Sequence, residues 1–456
     1  MAESRNEGLQ RDPNRINAAP SKEFFIYMLT RDVQLSRAII DLLDNCVDGA
    51  KRLRANGSFD GLWVTITISP DLFSITDNCG GIPVEVARDY AFRFGRPKTA
   101  KDTPGSMGLF GVGMKRTFFK LGNRFEVKSK CETEEFDLNV DVNQWVEMGE
   151  DDPNDWHFQF SSVTTGIPAT PERETGTEII VTELHPAIQS VFALENFQTQ
   201  LMSEVTAAHM LSLQRGLGIT VNRLPVQLQK PSLFVSDEVQ PAVQDLTFER
   251  RQLDGKEGEG VHVRLLAGLS IRSYPDGGWY VFCNGRLVLK ADKTAASIWG
   301  TSHSMRQYHP DFAYFRGYTF FDSAVSALLP WTTTKTGVDI DSALYKAVQQ
   351  QMIEISKPIL AFLSSMAKGQ QEGQIDEGAL DDSLSIAQST EIQNITTIAA
   401  FRANVKQVPT GPKYGRIQYS KPIEQIEKVK TLMKAKSLKE IGERSFDYFL
   451  EYEGGE

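Results

Sequence analysis

Apolar residues recur at three- and four-residue steps between positions 32 and 54: Leu35, Ala38, Ile39, Leu42, Cys46 and Ala50. That period predicts an amphipathic helix. Residues 63–68 alternate apolar and polar, which predicts a half-buried strand. Residues 73–75 form a second short strand that runs into a glycine turn. Residues 93–113 are rich in Gly, Pro, Lys and Thr and predict a long loop. Further strands are expected at 125–130 and 178–184. The pattern predicts an α+β domain over 21–192, with helices on one face of a mixed, mainly antiparallel sheet. Residues 1–20 are expected to form a flexible lead-in.

A second α/β domain is expected over 193–368. Its clearest part is a hairpin: a strand at 279–282, the turn Asn284-Gly285 and a strand at 287–289. A long helix over 341–366 is expected to end this domain. Residues 369–400 begin with an acidic stretch bearing Gly, Gln and Ser, and predict a linker. Residues 401–456 predict a small basic module. Residues 416–420 read as a short strand, Pro422 opens a helix, and Ser437 with Glu440 forms a capping box for a second helix.

Composition narrows the function classes. The 456 residues are 41% hydrophobic and 24% charged, with no apolar run long enough to span a bilayer. The N-terminus is polar and unlike a secretory signal, so a cytoplasmic protein without a membrane partner is expected. Cys46, Cys79, Cys131 and Cys283 are too scattered for a disulfide framework or zinc knuckle. The net charge of −10 argues against a chain-wide nucleic-acid surface and leaves room for a local basic patch.

Four short motifs carry candidate chemistry. Asp41, Asn45 and Asp48 are spaced i, i+4 and i+7, so a helix presents them on one face. Asn45 offers a neutral oxygen suited to Mg²⁺. Asp41, one turn earlier, could orient a water; solvated acids on a surface helix are the bland alternative. Asp77 ends an apolar strand, and Gly80, Gly81, Ile82 and Pro83 follow. An acid there could accept a hydrogen bond from an exocyclic amine, or simply mark a tight turn. Gly108, Leu109, Phe110, Gly111, Val112, Gly113, Met114 and Lys115 lead into a helix. Their free amides and the helix N-terminus suit an anion, and Lys115 adds a full charge. The run lacks the Gly-Lys-Ser/Thr of a Walker loop. Gly176 and Thr177 start an apolar strand, where a threonine is commonly structural and where the Thr177 hydroxyl could also support Asp77 through a water.

The order and spacing of these motifs over residues 25–190 resemble the GHKL superfamily, the gyrase, heat-shock chaperone, histidine kinase and MutL type of ATPase with a Bergerat fold. The resemblance implies ATP and Mg²⁺ as cofactors. It assigns Mg²⁺ to Asn45, adenine to Asp77 and Gly81, and the phosphates to Gly108, Gly111 and Gly113. Gly176 and Thr177 would close the site. The stretch from Gly108 to Lys115 with Leu121-Gly122 is most similar to MORC-type ATPases. The run Phe282-Cys283-Asn284-Gly285-Arg286 resembles the transducer domains of MutL and gyrase, and the loop around Lys335 resembles their phosphate-sensing lysine loop. The resemblance makes Asp41 and Lys335 the catalytic pair. Two departures stand out: the family usually has Glu where this chain has Asp41, and Gly where it has Cys79. A carboxylate about 1 Å further back can cost roughly 100-fold, so slow hydrolysis is expected.

The C-terminal module resembles ribbon-helix-helix modules. Nine basic residues between Lys413 and Arg444 face four acids. Dimerisation or docking and DNA contact both remain open for it. The expected function is an ATP-gated homodimeric clamp whose cargo could be DNA, a protein client or a partner enzyme. A nucleotide-sensing regulator with little turnover is the alternative. No hairpin presenting a phospho-accepting His precedes the pocket, which argues against a two-component kinase.

Overall fold

The computed structural model describes residues 20–55, 57–95, 105–108, 111–151, 156–301, 305–372, 375, 378–404 and 417–453. The expected lead-in (residues 1–19), much of the 93–113 loop, Leu109, Phe110, Lys413 and Arg416 lie outside them. The described residues divide into two compact units. The larger holds residues up to Ser364 together with Asp381–Val405, and the smaller holds Ser365–Leu380 with Lys406–Glu456.

The larger unit contains two main sheets. The first uses β1 (Trp63–Ile68), β2 (Phe73–Asp77), β3 (Gly122–Lys130), β4 (Glu134–Asp141), β5 (Phe160–Thr165), β6 (Gly176–Leu184), β7 (Gly218–Val221) and β8 (Leu224–Pro225). Their order is β5-β4-β3-β6-β2-β1-β7-β8. Every neighbouring pair is antiparallel except β1 with β7. The expected mixed, mainly antiparallel sheet is therefore present, and it extends past the anticipated boundary at 192 because β7 and β8 join it.

Helices α1 (Lys22–Thr30), α2 (Leu35–Leu53), α3 (Val84–Val86), α4 (Gly113–Leu121) and α5 (Val142–Asp151) belong to the same half of this unit. Within α2, Ala38, Ile39, Ile40, Leu43, Val47 and Ala50 have no solvent exposure. Burying each larger side chain contributes about 1.5–3 kcal/mol before chain entropy is counted. This apolar face fixes the rotation of α2 and leaves the Asp41–Asp48 face for the site.

Helices α6 (Pro186–Phe192), α7 (Glu195–Ala208) and α8 (Met210–Gln214) lead to the second sheet. The strands there are β9 (Ser232–Val235), β10 (Val239–Gln240), β11 (Ala242–Phe248), β12 (Val261–Leu269), β13 (Gly278–Cys283), β14 (Arg286–Asp292) and β15 (Phe315–Asp322), with α9 (Arg250–Asp254) between β11 and β12. Five of them form a sheet of order β11-β12-β15-β13-β14. The expected hairpin is β13 and β14. Asn284 and Gly285 both take positive φ, +47° and +80°, as a two-residue turn of this kind requires. The expected long helix is α10 (Ala343–Gln371), which continues through Pro358.

The expectation of a linker at 369–400 is corrected. After α11 (Ala379–Ser385), β16 (Gln388–Glu391) pairs with β9, and β17 (Arg402–Ala403) pairs with β10. Ile392 and Ile395 sit in one buried cluster with Leu233, Tyr280 and Tyr318. Polar, small residues surround these two isoleucines in sequence, and their tertiary burial overrides that local composition.

In the smaller unit, α12 (Ile423–Met433) and α13 (Leu438–Glu453) form a helical pair. The Glu440 N–H donates to Ser437 Oγ at 3.1 Å, and Glu440 Oε2 accepts from the Lys436 N–H at 2.7 Å. The capping box thus closes one residue earlier than its usual form. Residues 417–420 form no strand, so the strand of the strand-helix-helix reading is absent among the described residues. Among those residues no helix is long and apolar enough to cross a membrane.

Candidate functional site

The polar face of α2 is the floor of the site. Asp41, Asp44 and Asp48 are buried on it, while Asn45 between them is exposed. Next to α2 lies the turn after β2. The Cβ that a side chain would add at Gly49 would come within 2.6 Å of the Cys79 carbonyl, so glycine permits this close approach.

Asp77, at the end of β2, is the acid of this turn. Its Oδ1 accepts from the Cys79 N–H at 2.7 Å, and the Thr177 N–H also reaches the carboxylate. Thr177 thus supports Asp77 through its backbone, from the adjacent position on β6. Burial pushes the Asp77 carboxyl up, and these hydrogen bonds oppose the shift. The departure at Cys79 is accommodated. Gly80 and Gly81 carry the positive φ values, +92° and +72°, and Cys79 does not. Ile82 is fixed by Ser129, whose Oγ accepts from the Ile82 N–H at 2.6 Å and donates back to the Ile82 carbonyl at 3.1 Å.

The glycine segment meets the other end of the α2 face. The Met107 N–H donates to both oxygens of Asp48 at 2.9 Å, and the Gly108 N–H donates to Oδ2 at 3.1 Å. Gly111 takes a positive φ of +63°, Val112 caps α4, and Gly113 and Met114 begin it. A Cβ at Gly113 would sit 3.4 Å from Asp41 Oδ2, which places the start of α4 against Asp41. The expectation of a free charge at Lys115 is corrected. Its ammonium is buried and donates to the carbonyls of Ala91, at 2.7 Å, and Gly111. Burial pushes it down to about 7.

Lys335, 291 residues from Asp44 in sequence, arrives at the same place. Its Nζ lies 2.6 Å from Asp44 Oδ2 and 3.7 Å from Asp41 Oδ1. The loop that carries it is closed by a bridge between Trp331 and Val338 and by the Thr332 N–H donating to Gly337 at 3.0 Å. Lys335 itself is left-handed, with φ +53°. A non-glycine residue in that region costs about 1–2 kcal/mol, a cost shared in this chain by Glu183, Arg223, Ala291 and Lys434 among others.

Asp44 was not singled out from the sequence, although it shares the face of Asp41 and Asp48 at i+3 and i−4. It is the hub of the cluster. Arg286 Nε approaches its Oδ1 at 3.0 Å and His209 Nε2 at 3.1 Å. Burial opposes its ionisation, but Arg286, Lys335 and His209 together hold the carboxyl well below the usual carboxylate range. Burial pushes His209 down to about 4, against the pull of Asp44. Burial also opposes the charge on Lys335, yet Asp44 and Asp41 raise it. Arg116, likewise unmarked by the sequence, makes an ion pair with Asp41. His209 stands at the junction of α7 and α8, and nothing in its neighbours in sequence signals the role.

These residues suit a nucleotide with a divalent cation. Oxygen donors dominate, the Asn45 amide is exposed beside buried acids, and the backbone at Gly108 and Gly113 comes close to them. Among the described residues no group of three or more His, Cys, Asp or Glu side chains could hold a metal alone. The exposed Asn45 amide could hold a Mg²⁺ together with phosphate and water oxygens, a ligand set this ion commonly takes.

A comparison with curated proteins found none that matches the chain. Residues 33–164 match the family model of histidine kinase-, DNA gyrase B- and HSP90-like ATPases, and the region holding α2, Asp77 and the glycine segment is similar to the ATP-binding domain of that family.

Proposed function

We propose that the protein binds Mg-ATP on the polar face of α2 and hydrolyses it slowly, as a nucleotide-gated homodimeric clamp. The observation that carries this reading is the burial of Lys335 against Asp44 and beside Asp41. A lysine brought there on the loop between β15 and α10 can register whether a terminal phosphate is present. Asp77 would accept the exocyclic amine of adenine, and Asn45 would hold Mg²⁺, whose charge would offset that of the phosphates. The amides at Gly111, Val112 and Gly113, at the N-terminus of α4, would take phosphate oxygens, and Gly108, its own N–H held by Asp48, would border them. A water would attack the terminal phosphorus, the bond to the ADP oxygen would break, and Asp41 would accept the water's proton. The second sheet and α10 would act as a transducer-like domain. DNA and a protein client both fit as cargo.

The pairing of Asp41 with Arg116 supports a second reading, a nucleotide sensor with little turnover, because a base held by a cation must be released to act. Phosphate release from Mg-ATP separates the two, measured beside Asp41→Ala and Asn45→Ala and with oligomeric mass read with and without a non-hydrolysable analogue. Turnover that Asp41→Ala abolishes, with analogue-driven dimerisation, supports the clamp. Binding without either supports the sensor. Absence of ATP binding overturns both.

A further inference from the structure

The segment 105–108 is held from two sides. Its Met107 and Gly108 amides face Asp48, as described above. Its other polar backbone groups face the turn between β13 and β14 and the end of β15. Asn284 Nδ2 donates to the Ser106 carbonyl at 3.3 Å and to the Ser323 carbonyl at 3.1 Å, and Asn284 Oδ1 accepts from the Ser323 N–H at 2.9 Å. Ser326 Oγ donates to the same Ser106 carbonyl, and the Gly105 N–H donates to Ala324 at 3.4 Å. Lys51, in the last turn of α2, joins the two sides: its Nζ donates to the Gly105 carbonyl at 3.1 Å and to the Asn284 carbonyl at 2.7 Å. Asn284 is buried, and the strand before it is rigid, with Trp279, Val281, Phe282 and Cys283 fully enclosed. A buried amide with both donors and its acceptor engaged is costly to disturb.

We infer that Asn284 is a positioning residue of the nucleotide site: by gripping Ser106 it sets the Met107 and Gly108 amides against Asp48, and so fixes where the glycine segment enters the pocket. Its functional half rests on the ATP-site reading; its structural half does not. The competing explanation is that Asn284 serves only the turn, because asparagine tolerates positive φ.

Two variants separate these explanations. Asn284→Gly keeps the left-handed turn and removes the amide. Asn284→Asp keeps the acceptor for Ser323 and sets an oxygen against two carbonyls. Hydrogen exchange at Met107 and Gly108 in the nucleotide-free full chain is expected to quicken about tenfold in both, the scale of one buried hydrogen bond. Lys51→Met is expected to raise exchange at the same amides from the other side. The affinity ratio of ATP to ADP is expected to fall about tenfold in Asn284→Gly while adenosine binding holds, because the segment serves the phosphates. Unchanged exchange in Asn284→Gly overturns the grip. Faster exchange with an unchanged ATP-to-ADP ratio overturns the positioning role. A wild type that binds no nucleotide overturns the ATP-site reading and with it the functional half, while exchange still decides the grip.

Discussion

Around Asp77 the partners are local or adjacent in the sheet: Cys79 two residues on, Cys46 on the neighbouring helix, Thr177 on the next strand. Around Asp44 they converge from positions 209, 286 and 335, across two sheets and a strained loop. The first end is set by β2 and its turn together with α2 and β6, all within or beside the first sheet. The second exists only when both sheets are assembled. Under the proposed function, recognition of a base would be separable from sensing of a phosphate.

The largest expected effect comes from breaking the convergent end. Asp44→Ala leaves Lys335 and Arg286 buried without their shared anion and is expected to cost about 3–5 kcal/mol. Denaturant unfolding measures it, and wild-type stability in this variant would show that the two cations find other anions. Ile392→Ala, in the cluster that closes the second sheet, is expected to cost about 2–5 kcal/mol by the same measurement. Asp77→Asn tests the local end. It keeps the shape and is expected to weaken ATP binding roughly 10- to 100-fold with little change in stability. A stability loss equal to that of Asp44→Ala would erase the contrast between the ends.

A test of another kind is a pH dependence. The Lys115 ammonium is pushed from its ordinary 10.5 to about 7 in the folded protein. Between those values the unfolded chain binds more protons, so this group's contribution raises stability with pH across that window. It is fully present above 10.5 and lost as pH falls through about 7. In Lys115→Met that slope, at most about 1.4 kcal/mol per pH unit, is expected to vanish. Parallel curves for the two proteins would mean that Lys115 is charged in the folded state.

The contrast between the ends also explains what the sequence made legible. Helix α2, strands β1 and β2, the Asn284-Gly285 turn and the long helix follow local period or turn chemistry, and the amino-acid pattern predicts each one. Asp77, Asn45 and the glycines stand in short motifs whose meaning is local. Asp44, Arg116 and His209 acquire their roles from partners 75 to 291 residues away, or from burial that no neighbouring residue announces. Lys115 shows the converse: its motif suggested a free charge, and the packing of α4 turned it inward. The linker reading failed at Ile392 and Ile395 because three isoleucines at three-residue steps, Ile392, Ile395 and Ile398, are too short a pattern to outweigh the acidic, Gly- and Gln-bearing stretch before them.

The return of residues 388–403 to β9 and β10 bears on how the chain is made. Synthesis is vectorial, and the cluster around Leu233 and Tyr280 lacks Ile392 and Ile395 until they have emerged from the ribosome. For the time it takes to add the 70 or so residues between the end of β15 and Ile392, at roughly 5–20 per second, the nascent second sheet exposes an open apolar face. That interval of about four to fourteen seconds is a window for chaperone capture or aggregation, and it ends when the late strand arrives.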